Sequence, residues 1–263
     1  MNKKRKVVGR VVCQQSIASG IYEIYIETDL SEEAMAGQFI GIYPLDRSTL
    51  LPRPISICEV DRSAKRLRLV YRVAGSGTAE LSAATPGDEL YLLGVLGNGF
   101  PMDATNGKTI AVMGGGIGIP PLLEVVKTLS RLSPLAKVHS FLGYRDGQRF
   151  LLGDFEQYST VHVATEDGSY GIKGNVMSAL NRSDINPDMI MSCGPMPMLR
   201  AIKGYSVEQS IRAYISLEER MACGIGACLG CVCRTTAVDH HSHVNNARIC
   251  TDGPVFDANE VDI

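Results

Sequence analysis

The sequence predicts a multidomain fold: an antiparallel β-barrel, then an α/β doubly wound parallel sheet, then a small cysteine-rich module. Three observations predict it. Up to about residue 100, short runs rich in Val, Ile, Leu and Tyr are broken at intervals by Gly, Pro, Ser or Asp, the mark of strands and turns. Beyond Pro101, apolar strand-like runs alternate with stretches of helical periodicity, which implies parallel βαβ units. From about Ser206 both patterns fade, and cysteine and glycine take over. The expected divisions are residues 1–102, 103–206 and 207–263.

In order, the strands of the first part are KVVGRVVCQQ, GIYEIYIET, QFIGIYP, RPISICEV, RLRLVYRV and DELYLLGVL, with one short helix expected near Thr78–Ala84. So regular a succession of short strands suits a small antiparallel barrel or sandwich. In the second part KTIAVMGGG is a near-continuous apolar strand running into glycines, and IPPLLEVVKTLSRL has helical spacing. AKVHSFLGYR, TVHVATEDG and DMIMSCGP read as further strands. NVMSALNR and MPMLRAIKGYS read as helices, and FLLGDFEQY as a helix or turn.

Composition excludes several classes of function. The 263 residues are 45% hydrophobic and 21% charged, enough to bury a core as a globular protein does. A formal charge of −2 offers no polybasic field to nucleic acid or an anionic membrane. The basic run Lys3–Lys6 leads into no apolar h-region and reads as a solvated tail. Thr109–Leu123 is uncharged for 15 residues but holds four glycines and two prolines, too short and too broken to span a bilayer. A cytoplasmic location is therefore expected, where disulfides are disfavoured. Eight cysteines in that compartment point to metal ligation or redox chemistry. Cys13, Cys58 and Cys193 are scattered and read individually as small buried residues.

The other cysteines are organised. Cys223-x4-Cys228-x2-Cys231, followed after 18 residues by Cys250, is the plant-ferredoxin-type spacing that wraps a [2Fe–2S] cluster with four thiolates. Gly224, Gly226 and Gly230 let backbone N–H groups approach the sulfurs without a Cβ clash, which lowers the cost of burying charge. Structural zinc is the rival, but zinc sites favour paired Cys-x2–4-Cys knuckles. Cys233 and His240, His241 and His243 offer other ligand sets, including a mixed Cys/His iron site. Cys233 is the expected non-ligand, and the histidine run is expected to be an exposed loop.

Two glycine loops point to a nucleotide. Gly114, Gly115, Gly116 and Gly118 lie in MGGGIGIPPLL, between an expected strand and an expected helix. There backbone N–H groups and the helix N-terminus can face a pyrophosphate. GGGIG departs from the G-x-G-x-x-G spacing and is weak evidence alone. It gains weight from SCGPMPML, where Cys193, Gly194 and Pro195 again join a strand to a helix. In an open parallel sheet both loops fall at the carboxyl ends of strands, where ligands bind.

In the first part, RPISI and the LVYRV strand offer fixed guanidinium groups and a hydroxyl, suited to a phosphate and a flavin edge. GSGT before a short helix is a further anion nest. Together RPISI, YRV, GSGT, GGGIGIPPLL, CGPMPML, LEERMACGIGACLGCVC and ICTDGPVF resemble the ferredoxin reductase superfamily. The resemblance covers essentially the whole chain. More narrowly, it is to the electron-transfer subunits of the heteromeric, NAD-linked (class 1B) dihydroorotate dehydrogenases.

The resemblance implies FAD bound by Arg53, Pro54, Ile55 and Ser56, by Val70, Tyr71 and Arg72, and by Gly77 and Thr78. It implies NAD at the two glycine loops and cluster ligands at Cys223, Cys228, Cys231 and Cys250. Ile55 stands where the broader superfamily usually has a tyrosine against the isoalloxazine, in agreement with the narrower family. The implied partner is an FMN-containing dihydroorotate dehydrogenase catalytic subunit, two of each chain forming a heterotetramer. Electrons from dihydroorotate would pass through the cluster to FAD and then to NAD+, a step in pyrimidine biosynthesis. Cys193 is the one candidate catalytic group near the hydride path. Glu218 and Glu219 are expected at the surface or supporting the cluster loop. The choice of NAD over NADP comes from the resemblance alone, because GYRDGQR holds Arg145 and Arg149 but also Asp146. Transhydrogenase, sulfide dehydrogenase and ferredoxin reductase components are the alternatives. The first two often have an aspartate where Cys223 stands, and a standalone reductase needs no fused cluster.

Overall fold

The computed structural model describes residues 4–44, 50–238 and 243–263. Lys3 of the basic run, and His240 and His241, lie outside the described residues. Six strands close into an antiparallel barrel: β1 (Arg5–Ala18), β2 (Ile21–Glu27), β3 (Phe39–Ile42), β4 (Arg53–Asp61), β5 (Arg66–Arg72) and β6 (Glu89–Leu96). Their order is β1-β2-β5-β4-β3-β6, and β6 pairs back onto β1 from Arg5↔Gly94 to Arg10↔Glu89. Closure leaves no edge strand to protect. The interior is built by Val11, Ile24, Ile26, Ile40, Ile57, Leu67, Leu69 and Leu92, all buried. The short helix α1 (Ser76–Leu81) fills the connection between β5 and β6, two residues ahead of where the sequence predicts it.

The second sheet has the order β10-β9-β8-β7-β11-β12-β15. Five strands run parallel: β7 (Thr109–Gly115), β8 (Lys137–Tyr144), β9 (Thr160–Thr165), β11 (Met189–Cys193) and β12 (Arg212–Ser216). The two-residue β10 (Ile172–Lys173) extends one edge in parallel, and β15 (Val255–Asp257) closes the other antiparallel. The helices are α2 (Leu123–Leu132), α3 (Leu152–Glu156), α4 (Val176–Asn181) and α5 (Met196–Glu208). β7 is buried along nearly its whole length, as a parallel strand covered on both faces must be. The strand order reverses between β7 and β11, so their carboxyl ends open onto a crevice at the switch point. That is where both glycine loops lie.

The division expected at Ser206 is displaced. Helix α5 runs on to Glu208, β12 hydrogen-bonds to β11 from Met189↔Arg212 to Cys193↔Ser216, and β15 returns to β12. The sheet thus takes two strands from residues assigned by composition to the cysteine module. The remaining module carries one antiparallel pair, β13 (Val232–Arg234) and β14 (Asn246–Arg248). Its Cys231, Ile249 and Cys250 share one apolar cluster with Phe39, Leu93 and Leu96 of the barrel and Ile215 of the sheet. Among the described residues, no helix is long and apolar enough to cross a membrane.

A charged seam joins barrel and sheet. Arg68 of β5 meets Glu23 of β2 at 2.7 Å and, across the interface, Asp154 of α3 at 2.6 Å. Lys127 of α2 reaches Glu59 of β4 at 2.7 Å, and the Glu124 carboxylate accepts the Val60 N–H at 2.9 Å.

Candidate functional site

Barrel, sheet and cysteine module meet around a cleft of about 950 Å³, at the upper end of the ~300–1,000 Å³ usual for small-molecule sites. β4 brings Arg53 to Ser56 to its wall, β5 brings Val70 to Arg72, and α1 brings Thr78. All the barrel residues predicted to bind a flavin except Gly77 therefore line one cavity. Gly77 lies behind Arg53: a Cβ there would sit 3.0 Å from the guanidinium carbon, so only glycine lets the cation fold over the turn. The Thr78 hydroxyl oxygen accepts the Ala74 N–H at 2.9 Å and the Gly75 N–H at 3.2 Å, building the turn itself.

Tyr71 is turned away from the cleft. It is buried in the barrel core and its hydroxyl donates to Gln14 Oε1 at 2.9 Å, so burial raises its phenol and β5 offers the cleft mainly backbone at this position. Arg72 is exposed, and one guanidinium nitrogen lies 3.6 Å from where a Gly116 Cβ would be. It thus spans from the barrel to the glycine loop of β7, where a phosphate can use it.

The two loops at the switch point are locked together. Cys193 pairs with Gly114, and a Cβ on Gly118 would lie 2.5 Å from the Cys193 carbonyl carbon and 2.6 Å from Gly194 Cα. A Cβ on Gly115 would meet Met198 Sδ at 2.8 Å and Pro195 Cδ at 3.0 Å, and one on Gly114 would meet Ile119 at 3.0 Å. Gly114 and Gly115 therefore serve close packing. Gly116, at φ 54°, is the open member of the run. Of the predicted nicotinamide residues, only Gly118 and Cys193 line the main cleft. Burial pushes the Cys193 thiol up to about 12 despite a hydrogen bond with Ser216. It is neutral near pH 7 and supplies no base.

The cysteine loop aims its backbone at sulfur. Cys223 Sγ accepts the N–H of Ile225 and of Cys228, each at 3.4 Å, and Cys228 Sγ accepts that of Gly230 at 3.4 Å. Gly224 and Gly226 hold φ of 67° and 82° to make this turn, a conformation that glycine adopts at little cost. Burial alone would raise the Cys223 thiol, but these donors outweigh it and bring it down to about 6. Burial and the neighbouring Cys231 sulfur push Cys250 up to about 11. A thiol so raised ionises near neutral pH only against a cation, which a metal provides.

The backbone donors gather around Cys223 and Cys228, while Cys231 and Cys250 lie buried beside them in the loop. Among the described residues no three His, Cys, Asp or Glu groups gather as for a single ion. Cysteines at the Cys-x4-Cys-x2-Cys spacing, with Cys250 as the fourth, suit two irons better than one tetrahedral zinc. Cys233 sits on β13 opposite Ala247, with its thiol raised by burial. His243 is exposed at φ 56°.

Sequence reasoning missed one wall of the cleft. Leu217 to Ala222 line it, with Gly230 and Pro254. Glu218 and Glu219 are exposed, as expected, yet they stand at the cleft. The available signal was topological: a segment joining the carboxyl end of β12 to the first cluster cysteine must pass the switch point. Ala222 and Gly230 immediately precede Cys223 and Cys231, so the cluster loop forms part of the cleft wall.

Barrel, switch-point loops and cysteine loop together define a ferredoxin reductase-like fold with an appended iron–sulfur module. Residues 218–262 match the family model of the iron-sulfur cluster binding domain of dihydroorotate dehydrogenase B. The chain is 42% identical to the dihydroorotate dehydrogenase B (NAD(+)), electron transfer subunit, of Streptococcus pneumoniae strain R6, over 94% of each chain. It is 41% identical to the same subunit of Geobacillus sp. strain WCH70, over 95% of this chain and 96% of the other. The chain belongs to the family of dihydroorotate dehydrogenase B electron transfer subunits. Among solved structures, an NADH-dependent reduced ferredoxin-NADP oxidoreductase matches with a TM-score of 0.86 at 25% identity, over 97% of this chain and 90% of that one. A ferredoxin NADP+ reductase from Neisseria gonorrhoeae with bound FAD and NADP shares the fold, with a TM-score of 0.64 at 16% identity over 82% of this chain and 94% of that one.

Proposed function

We propose that the chain carries electrons between a dihydroorotate-oxidising, FMN-containing catalytic subunit and NAD+, through a [2Fe–2S] cluster and FAD, in pyrimidine biosynthesis. One observation carries this reading: a single cleft is walled by RPIS and VYR of the barrel, by Gly118 and Cys193 of the sheet, and by residues abutting two cluster cysteines. Arg53 and Arg72 supply cations for a diphosphate. Backbone of Pro54 to Ser56 and Val70 to Tyr71 supplies edges for a flavin ring, while Gly118 and Cys193 wall the nicotinamide side. Cys223, Cys228, Cys231 and Cys250 supply the thiolates. These residues would hold a flavin where it could supply both hydride exchange with nicotinamide and single-electron exchange with an iron–sulfur cluster, joining a two-electron carrier to a one-electron carrier. The protein holds and orients; no side chain in the cleft is assigned a proton to move.

The names of the relatives support a catalytic dihydroorotate dehydrogenase partner, and we place two copies of each chain in a cytoplasmic heterotetramer. The domain limits that suit this division are 1–102, 103–217 and 218–263, with Val255–Asp257 lent back to the sheet. Reconstitution tests the function. The chain combined with its catalytic subunit should form NADH from dihydroorotate and NAD+, and neither alone should do so. A pair that forms no NADH, while the catalytic subunit still passes electrons from dihydroorotate to a dye, would reject the proposal.

A further inference from the structure

We infer that Asn98 is a positioning residue that sets the separation between the flavin cleft and the cluster loop. The inference rests on the functional reading above, because it concerns transfer between those two sites. Strand β6 ends at Leu96 and the chain turns at Gly97 with φ 74°. A Cβ on Gly97 would lie 2.5 Å from Pro254 Cδ and 2.9 Å from the Gly253 carbonyl oxygen, so barrel backbone here touches the segment that follows Cys250.

Asn98 then binds that segment at three successive carbonyls. Its N–H donates to Gly253 O at 2.7 Å. Its carboxamide nitrogen donates to Thr251 O at 3.1 Å and Asp252 O at 3.0 Å, using both of the hydrogens it has. These carbonyls lie between Cys250, a proposed cluster ligand, and Pro254, which lines the cleft.

The segment is tied together at one carbonyl. The N–H groups of Thr251, Asp252 and Gly253 all donate to Arg248 O, at 3.0, 2.7 and 3.3 Å. Leu217 of the cleft wall donates its N–H to Pro254 O at 2.9 Å. The other end of the ligand loop rests on the same barrel strand, since a Cβ on Gly224, beside Cys223, would sit 3.2 Å from Leu96 Cδ1. β6 therefore grips the loop near its first and last cysteines, and Asn98 is the hydrogen-bonding half of the grip. Electron transfer between fixed sites falls steeply with their separation. Loosening this strut should slow that step while leaving the chemistry of each site intact.

The test uses purified holoprotein and the variants Asn98→Ala and Asn98→Asp, the second turning a carboxylate toward the Thr251 and Asp252 carbonyls. Each is mixed rapidly with NADH, and flavin bleaching and cluster bleaching are followed separately. FAD content, iron content and the electron paramagnetic resonance spectrum of the reduced cluster are measured beside them. Both variants should keep FAD, iron, the cluster spectrum and the rate of flavin reduction. Cluster reduction should slow several-fold relative to flavin reduction, and Asp should slow it at least as much as Ala. Cluster reduction at the unmodified rate would overturn the inference. Loss of iron from Asn98→Ala would also overturn it, because the residue would then be building the cluster site rather than spacing it. Absence of flavin or iron from the unmodified protein would instead remove the functional reading and leave the strut geometry standing.

Discussion

Arg53 and Arg72 both line the cleft, yet they do unlike work. Arg53 is half-buried, folded over Gly77 and bonded to the Leu51 carbonyl at 3.1 Å, so it is fixed before any ligand arrives. Arg72 is exposed and reaches the Gly116 turn, joining the barrel to the nucleotide loop. The cysteines divide in the same manner. Cys231 and Cys250 are 2% and 1% exposed, turned into the loop, whereas Cys233 belongs to the β13–β14 ladder. Replacing Cys250 with serine should therefore remove the iron and the visible cluster absorption, and Cys233→Ser should leave both. A normal four-thiolate spectrum from Cys250→Ser would contradict the ligand set. These residues were readable from sequence because their chemistry sits at fixed local spacing, in RPIS, GSGT and Cys-x4-Cys-x2-Cys. Leu217 to Ala222 were not, because their place on the cleft wall comes from the topology around β12 and from no spacing of their own.

Among the elements, the seam between barrel and sheet holds the two nucleotide-facing halves in register. Arg68 is the centre of that seam, with its side chain 10% exposed and Glu23 beside it 5% exposed. Taking one partner from such a pair leaves a buried charge uncompensated. Arg68→Met should thus cost about 3–5 kcal/mol, a fall of roughly 10 °C in Tm at ~2–4 °C per kcal/mol for a chain of this size. Exposed Arg66→Met, one turn of the pleat away, should cost under about 0.5 kcal/mol. Thermal unfolding of the two variants decides the point, and equal Tm values would mean that the seam holds nothing. The long strands and helices were readable from their periodicity. β12 and β15 were not: five and three residues long, they are too short to show a period, and their partners lie far away in the chain. The cysteine- and glycine-rich stretch between them hid them further, which is why the sheet appeared to end at Ser206.

At the scale of the molecule, three modules converge on one cavity, and that convergence is what makes a relay physically sensible. Each motif alone has a bland reading, as a turn, a strand arginine or a zinc knuckle. Ala222 and Gly230, next to Cys223 and Cys231, stand in the same wall as Arg53 and Cys193, and that shared wall supports the relay we propose over those separate readings. The measurement that tests this most directly is the visible spectrum of the purified chain, with FAD, iron and zinc assayed, before and after NADH. Flavin bands, about two irons per chain, no stoichiometric zinc, and bleaching of flavin and cluster together by NADH are the expected result. Zinc without flavin, or flavin that NADH bleaches while the cluster stays oxidised at equilibrium, would rule out the relay.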